Sequence, residues 1–414
     1  MKLPDLRSVP ADRPWTRPEA YWPALTAATL HLDPPLAVLC QEALAWNAAD
    51  MLRRAGGKPI RVASKSVRVR GVVEELMKHD GYHGVLAYTL PEALWLAETV
   101  DDVVVGYPTT HREAIRRLAT DESLAGRVTL MVDSVDHLDA VDAVLSPPDR
   151  FPVRVCLELD ASWRPKLPGP VRAHIGVRRS PVHSPAEARA LAELIAARRG
   201  FELVGMMAYE AQVAGLADAP PGKPVRGAAI RRIQRRSVAE LHGRRAEAVA
   251  AVRGVADLEF VNGGGTGSID STAADGSVTE IAAGSGLFGP HLFDGYRSFS
   301  PAPAAAFALS VVRRPAPGIA TLMGGGWIAS GPAAPDRLPE VAWPAGARMV
   351  GSEMAGEVQT PLTGVGNLGV GDRAWLRHTK AGELSEHVNE FAVVSDDAVA
   401  ETLPTYRGEG KAFL

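Results

Sequence analysis

Four short stretches of this 414-residue chain carry residue types that could act together chemically. In Arg61–Arg70, RVASKSVRVR, one lysine, Lys65, stands between Ser64 and Ser66 where a β-branched run hands over to a helical pattern. A lysine amine attacks carbonyl groups and forms a Schiff base. Two stretches are glycine-rich: NGGGTGS, Asn262–Ser268, and AAGSGLFG, Ala282–Gly289. Small residues let backbone N–H groups approach phosphate oxygens, and Thr266 and Ser285 add hydroxyl donors. The first run comes late and lacks a βαβ unit with an acidic ribose partner, and no Gly-Lys-Ser/Thr closes it, so neither dinucleotide nor P-loop binding fits. The fourth stretch, RHTKAGELSEHVNEF, Arg377–Phe391, is dense in imidazole, ammonium and carboxylate groups.

Elements in a regular rhythm must position these groups. Leu36 to Arg54 reads as an amphipathic helix with Leu39, Ala43, Trp46 and Met51 on one face. Strand-like apolar runs follow at 60–63, 84–88, 103–105, 128–132, 153–159, 203–208, 258–261 and 279–283, with helical patterns between most of them. Asp133-Ser134 and Ser184-Pro185 mark plausible helix starts. Eight alternations over this span predict an α/β fold, a (β/α)8 TIM-type barrel, with a doubly wound sheet as the rival. The long arginine-rich link after the fifth strand reads as an active-site loop. Beyond Pro301 the helical pattern stops, and short alternating runs broken by Gly and Pro predict a mostly β C-terminal domain. The expected division is an N-terminal segment 1–34 packing on the β domain, a barrel over 35–300 and the β domain over 301–414.

Reactive groups of such a barrel come from the C-terminal ends of its strands, and phosphate is often held after strands seven and eight. The two glycine runs fall there, and Lys65 falls at the end of strand one on the same rim. A lysine on a phosphate-binding rim points to a Schiff base with a phosphorylated aldehyde, for which pyridoxal 5′-phosphate is the candidate.

Composition excludes several classes. A formal net charge of −3 gives no electrostatic reason for a nucleic-acid or anionic-membrane partner. The two cysteines, Cys40 and Cys156, lie in apolar segments and read as small buried hydrophobes. No apolar run long enough to span a membrane occurs, and the proline-rich start does not read as a signal peptide, so a soluble, cytoplasmic protein is expected.

The chain resembles the fold-type III pyridoxal-phosphate enzymes, which pair an alanine-racemase-like barrel with a β domain, and most of all the D-threonine aldolase and D-serine dehydratase branch. RVASKSVR, VRVCLELD, GVRRSPV, ELVGMMAYE, VNGGGTGS and TEIAAGSGLF carry the likeness, in order, over about residues 35–300. The resemblance implies that Lys65 binds pyridoxal phosphate and that Gly264, Gly265, Thr266, Gly284 and Ser285 hold its phosphate. It implies that Tyr209 lines the pyridine ring and that Arg178 approaches the phenolic oxygen, with Arg164 or Arg179 as alternatives. In that branch a His-x-Cys or His-x-Asp pair holds a divalent metal. The corresponding triples here are His378-Thr379-Lys380 and His387-Val388-Asn389, so a metal site on His378, His387 and Asn389 is weakly supported. Direct action of His378 and Lys380, as base or substrate anchor, is the alternative.

The implied activity is a pyridoxal-phosphate lyase acting on a 3-hydroxy D-amino acid, by aldol cleavage to an aldehyde and glycine or by dehydration to a keto acid and ammonia. His378 is the expected base near the β-hydroxyl. An amino-acid racemase is the runner-up and calls for a β-domain tyrosine, for which Tyr296 and Tyr406 are available. A cofactor-carrying protein without catalysis is the third reading. The resemblance also implies a homodimer and a small amino acid as the substrate.

Overall fold

The computed structural model describes residues 1–165, 173–380 and 382–414. Seventeen strands occur among them: β1 Leu36–Cys40, β2 Ile60–Ala63, β3 Tyr82–Ala87, β4 Val103–Val105, β5 Val128–Val132, β6 Val153–Glu158, β7 Phe201–Ala208, β8 Phe260–Gly263, β9 Glu280–Ala283, β10 Ala305–Ala316, β11 Ile319–Met323, β12 Glu340–Trp343, β13 Arg348–Met349, β14 Gln359–Thr363, β15 Arg373–Arg377, β16 Glu390–Ser395 and β17 Ala398–Pro404.

Strands β2 to β9 close a parallel barrel in sequence order. Most of their residues are buried, as strands covered by helices outside and side chains inside must be. Helices such as Pro185–Ala197 form the outer ring; that one begins with a capping box in which Ser184 and Glu187 satisfy each other's backbone N–H groups. Inside the barrel, Phe260 packs with Val104, Met131, Cys156 and Met207. Gly205 in β7 makes room for the Phe260 ring, which a Cβ there would strike. A charge cluster ties the N-terminal ends of three strands. Arg61, 1% exposed, donates Nε to Glu280 at 2.7 Å and both Nη groups to Asp102 at 2.9 and 2.8 Å. Losing one partner would strand a buried charge, a cost of ~3–5 kcal/mol.

The remaining nine strands form a separate, mostly antiparallel sheet, ordered β13-β14-β11-β10-β1-β16-β17, with β15 beside β10 and β12 beside β15. Its central strand β1 precedes the barrel in sequence. It runs antiparallel to β10, pairing Leu36 with Ala308, and parallel to β16, pairing Val38 with Ala392. The expected helix from Leu36 to Arg54 is therefore corrected at its start. Leu36–Cys40 is a fully buried strand, and the helix occupies Gln41–Ala55. A five-residue apolar run satisfies strand and helix periodicity alike, and only the β10 and β16 edges on either side decide it. Gly56, at φ 59°, ends that helix in the left-handed conformation and turns the chain into β2.

The N-terminal helix Pro18–Ala28 lies on this sheet. Trp375 Nε1 donates to Thr26 Oγ1 at 2.8 Å, and the Arg373 guanidinium reaches the Thr29 and Leu32 carbonyls at 3.0 and 3.1 Å. The sheet's loops dock on the barrel beside strand β2. Ser385 Oγ donates to the Val67 carbonyl at 2.7 Å, and buried Tyr406 donates to Glu92 at 3.0 Å. Cys40 and Cys156 are unpaired and buried. Among the described residues no helix is long and apolar enough to cross a membrane.

Candidate active site

The C-terminal ends of the barrel strands and the loops of the β domain enclose a cavity of about 590 Å³. Its barrel wall comes from the segments that follow β2, β3, β4, β7, β8 and β9, and from Ile175–Arg179 of the long link after β6. That link was expected to be an active-site loop; residues 166–172 within it lie outside the described residues. The opposite wall is made by Leu292, Phe293, Gly331, Pro332, Arg337 and Lys380.

Lys65 sits in a short 3-10 turn, Ser64–Ser66, directly after β2. Its Nζ donates to Tyr107 Oη at 3.0 Å, and both side chains line the cavity. The turn is pinned on both flanks. Ser64 Oγ donates to the Leu86 carbonyl at 3.2 Å, and Arg68 Nε donates to the Lys65 carbonyl at 3.1 Å while pairing with Glu386 at 2.5 Å. Arg68 adopts φ 53°, a left-handed conformation that a non-glycine residue holds only when its surroundings impose it. The lysine is thus presented by a fixed backbone. Tyr107 follows β4 directly in Gly106-Tyr107-Pro108. Burial pushes its phenol pKa up, but the Lys65 ammonium and the Arg179 guanidinium outweigh this and hold it below the ordinary value.

The two glycine loops follow the adjacent strands β8 and β9, the second beside the Lys65 turn because β9 pairs with β2, and they are tied together, since the Gly286 N–H donates to Thr266 Oγ1 at 3.0 Å. Gly264, Gly265, Thr266, Gly284 and Ser285 all line the cavity. Any larger residue would close this cradle. A Cβ on Gly284 would run into the Ala63 carbonyl oxygen, and one on Gly265 would lie 2.9 Å from Ala214 Cβ and 3.2 Å from the Tyr209 ring. Glu210 holds the first loop from behind. It accepts from the Gly264 N–H at 3.1 Å, from Ser268 Oγ at 3.3 Å and from Thr272 Oγ1, and it pairs with buried Arg245 at 3.3 Å. Ser285 Oγ donates to Ser66 Oγ at 2.9 Å, joining the second loop to the lysine turn.

Tyr209 also lines the cavity, its phenol pushed up to about 12 by burial against the opposing pull of Arg179. The Arg179 guanidinium lies over both phenol rings, 5.1 Å from Tyr209 and 5.2 Å from Tyr107. Beneath this rim Glu158, at the end of β6, is pushed up to about 7 by burial, Arg179 acting against it.

The structure therefore gathers Lys65, Tyr209, Gly264, Gly265, Thr266, Gly284, Ser285 and Lys380 around one cavity. Seven residues named as candidates or alternatives fall elsewhere. Arg178 is exposed and does not line the cavity; the cavity arginine is its neighbour Arg179, one of the two alternatives. In that irregular segment adjacent side chains face different ways, so spacing could not choose between them. Arg164 is tied to Asp160 at 2.5 Å. His378 is fully buried behind the wall with its ring edge-on to Phe288, and is also absent from the lining. Burial first, then Arg377 and His291, bring its pKa down to about 3, which suits neither a base at the cavity nor a substrate contact. His387 is exposed and stacks on Trp327 at 4.2 Å, and Asn389 is exposed. Tyr296 and Tyr406 donate to the Ala214 carbonyl and to Glu92, outside the lining.

A divalent metal does not fit this wall. His378 is followed two positions later by a cation, Lys380, and is flanked by Arg377. Among the described residues no group of three or more His, Cys, Asp or Glu side chains could hold an ion. Pyridoxal phosphate does fit. A lysine amine faces the cavity, and small-residue loops with hydroxyls leave a cradle that any Cβ would fill.

Sequence reasoning missed Tyr107, Glu210 and Arg337. The strand-end rule would have found Tyr107, since it follows β4 directly. Nothing in the local sequence marks Arg337.

Residues 39–291 match the family model described as alanine racemase, N-terminal domain. No curated protein sequence matches the chain. Among solved structures, the D-threonine aldolase of Filomicrobium marinum superposes with a TM-score of 0.72 at 19% identity, covering 91% of this chain and 96% of that one. The D-threo-3-hydroxyaspartate dehydratase of Delftia sp. HT23 gives 0.67 at 19% identity, over 91% and 98%. An alanine racemase-like protein of Idiomarina loihiensis gives 0.65 at 15% identity, over 93% and 98%. At these identities the solved structures establish a shared fold.

Proposed function

The chain belongs to the alanine racemase N-terminal domain family of fold-type III pyridoxal-phosphate proteins, and from that premise we propose a lyase that acts on a 3-hydroxy D-amino acid. One observation carries the proposal. Lys65 Nζ faces a cavity shared with the two glycine loops and lies 3.0 Å from a tyrosine whose phenol pKa is lowered.

Lys65 would hold pyridoxal phosphate covalently through Nζ, with Gly264, Gly265, Thr266, Gly284 and Ser285 around its phosphate. Tyr209 would lie against its ring and Arg179 near its phenolic oxygen. When bound, the cofactor supplies an electron sink for the bond broken at the substrate Cα. The protein's own contribution is to hold atoms and move protons. Tyr107 Oη and Lys65 Nζ form a hydrogen-bonded pair that can pass a proton on the barrel side. Glu210 and Arg245 keep the first glycine loop rigid, so the cradle exists before any ligand arrives. Lys380 anchors the substrate from the β-domain wall. The lyase reading draws support from the two similar solved structures whose names are those of an aldolase and a dehydratase.

The racemase reading draws on the family match itself, while the tyrosines it called on, Tyr296 and Tyr406, lie outside the cavity lining. The working unit is taken to be a cytoplasmic homodimer, checked by light scattering. The reaction is tested on purified protein with D- and L-3-hydroxy amino acids, with and without chelator, following aldehyde, keto acid and ammonia. Chelator-insensitive release from a D-3-hydroxy amino acid is expected. Interconversion of enantiomers without any of these products would overturn the lyase reading in favour of the racemase.

A further inference from the structure

The charge in the cavity is one-sided. Among the described residues four cationic side chains line it, Lys65, Arg179, Arg337 and Lys380, and no aspartate or glutamate does. Two of the four have evident work on the barrel side. Lys65 bonds to Tyr107, and Arg179 lies over the rings of Tyr107 and Tyr209. The glycine cradle that suits a phosphate is built without either of the remaining two.

Those two stand on the β-domain wall. Arg337 ends a short 3-10 turn, Pro335–Arg337, and its guanidinium lies against Gly331, where a Cβ would come within 3.3 Å of Nε. Gly331 adopts φ 119°, which a residue with a side chain rarely takes, so the place is kept open for the guanidinium. Arg337 Nε and Nη1 are buried with no hydrogen-bond partner among the described residues. Among the described residues Lys380 Nζ donates only to the Ser330 carbonyl, at 3.4 Å. Among the described residues neither side chain forms an ion pair. The carboxylate nearest in charge to Lys380 is Glu383, which accepts from the Ser330 N–H at 3.4 Å and does not line the cavity. Buried donors without partners are costly unless a ligand supplies the acceptor.

An amino acid bound in this cavity brings one carboxylate at Cα, which satisfies one of the two cations. We infer that Arg337 and Lys380 are shared between that carboxylate and a second anionic group, so that the substrate is an amino acid whose side chain itself ends in a negative charge, a carboxylate or an equivalent oxyanion. This inference rests on the amino-acid reading of the cavity given above and narrows it. The same pair accounts for the wall's lack of a metal donor set, because two fixed cations already supply positive charge there. Lys380 is held below its ordinary pKa by burial first and by Arg337 second, and an arriving anion would oppose both by favouring the ammonium form.

The test compares ligands that differ in charge alone. Each enantiomer of aspartate and of asparagine, neither bearing a β-hydroxyl to be cleaved or expelled, is titrated into the holoprotein by calorimetry at low and high salt. Aspartate is expected to bind at least about tenfold more tightly than asparagine in the preferred enantiomer, with an advantage that shrinks as salt rises. At least one of Arg337→Met and Lys380→Met should bring the two ligands to within about twofold of each other, through a larger loss of aspartate than of asparagine affinity. Equal binding by the unmodified protein, or an unchanged preference in both variants, would overturn the inference. Circular dichroism and the visible absorbance of lysine-bound cofactor are read on the same samples. Intact absorbance with no charge preference rejects the anion site alone; absent absorbance on reconstitution rejects the parent reading, and the calorimetric preference still decides the anion site.

Discussion

The barrel wall of the cavity carries Lys65, Tyr107, Tyr209 and the glycine loops at the ends of parallel strands, whereas the facing wall carries Arg337 and Lys380 on irregular segments between antiparallel strands. On the first side each reactive group follows a strand end and its backbone is held from behind: Lys65 by Arg68 and Ser64, the first glycine loop by Glu210. On the second side the side chains are long, and two nitrogens of Arg337 have no partner among the described residues. The difference separates two tasks. A cofactor common to many reactions suits the rigid, repeated part of the fold, and the choice of substrate falls to the part that is free to vary.

Lys65→Ala should break the barrel side most completely. Activity is expected to fall at least ~10³-fold, with loss of lysine-bound cofactor absorbance. Gly284→Ala comes next, because its Cβ would meet a backbone carbonyl oxygen that cannot move aside, and cofactor affinity measured by titration of the apoprotein should drop by tenfold or more, about 1.4 kcal/mol. Tyr107→Phe keeps the ring but removes the proton carrier, so kcat should fall ~10²-fold while cofactor binding changes little.

The strand rhythm made the barrel side legible before any coordinates. Eight apolar runs at helix-sized intervals placed Lys65 and both glycine loops on one rim, because in a parallel barrel position along the chain fixes position around the ring. Tyr107 was readable by the same rule and was missed only because a lone tyrosine carries no motif. The facing wall was not readable in this way. His378 was chosen because it heads one of the two triples that correspond to the branch's metal pair, but packing against Phe288 buries it. Arg337 lies in a Pro- and Ala-rich stretch whose approach to the cavity depends on tertiary packing. Leu36–Cys40 was misread for the same reason, since its neighbours in the sheet lie more than 260 residues away.

Two smaller effects sharpen the contrast. Arg179→Ala should cost at least about tenfold in kcat/KM, whereas Arg178→Ala, one residue along and outside the cavity lining, should cost less than about twofold. His378 should show itself in stability. Its folded pKa of about 3 lies below the unfolded value near 6.5, so the unfolded chain takes up the proton first as pH falls. Stability from this group is full above about pH 6.5 and is lost as pH falls from there toward 3. His378→Leu, followed by urea unfolding across that window, should lose the steepest part of the acid dependence.

The central claim is that Lys65 is the covalent attachment point of pyridoxal phosphate. Borohydride reduction of the reconstituted protein, followed by peptide mass spectrometry, tests it directly. The expected result is bleaching of the visible absorbance and a pyridoxyl adduct on the peptide containing Lys65. An adduct on another lysine, or none after reconstitution, would contradict the account.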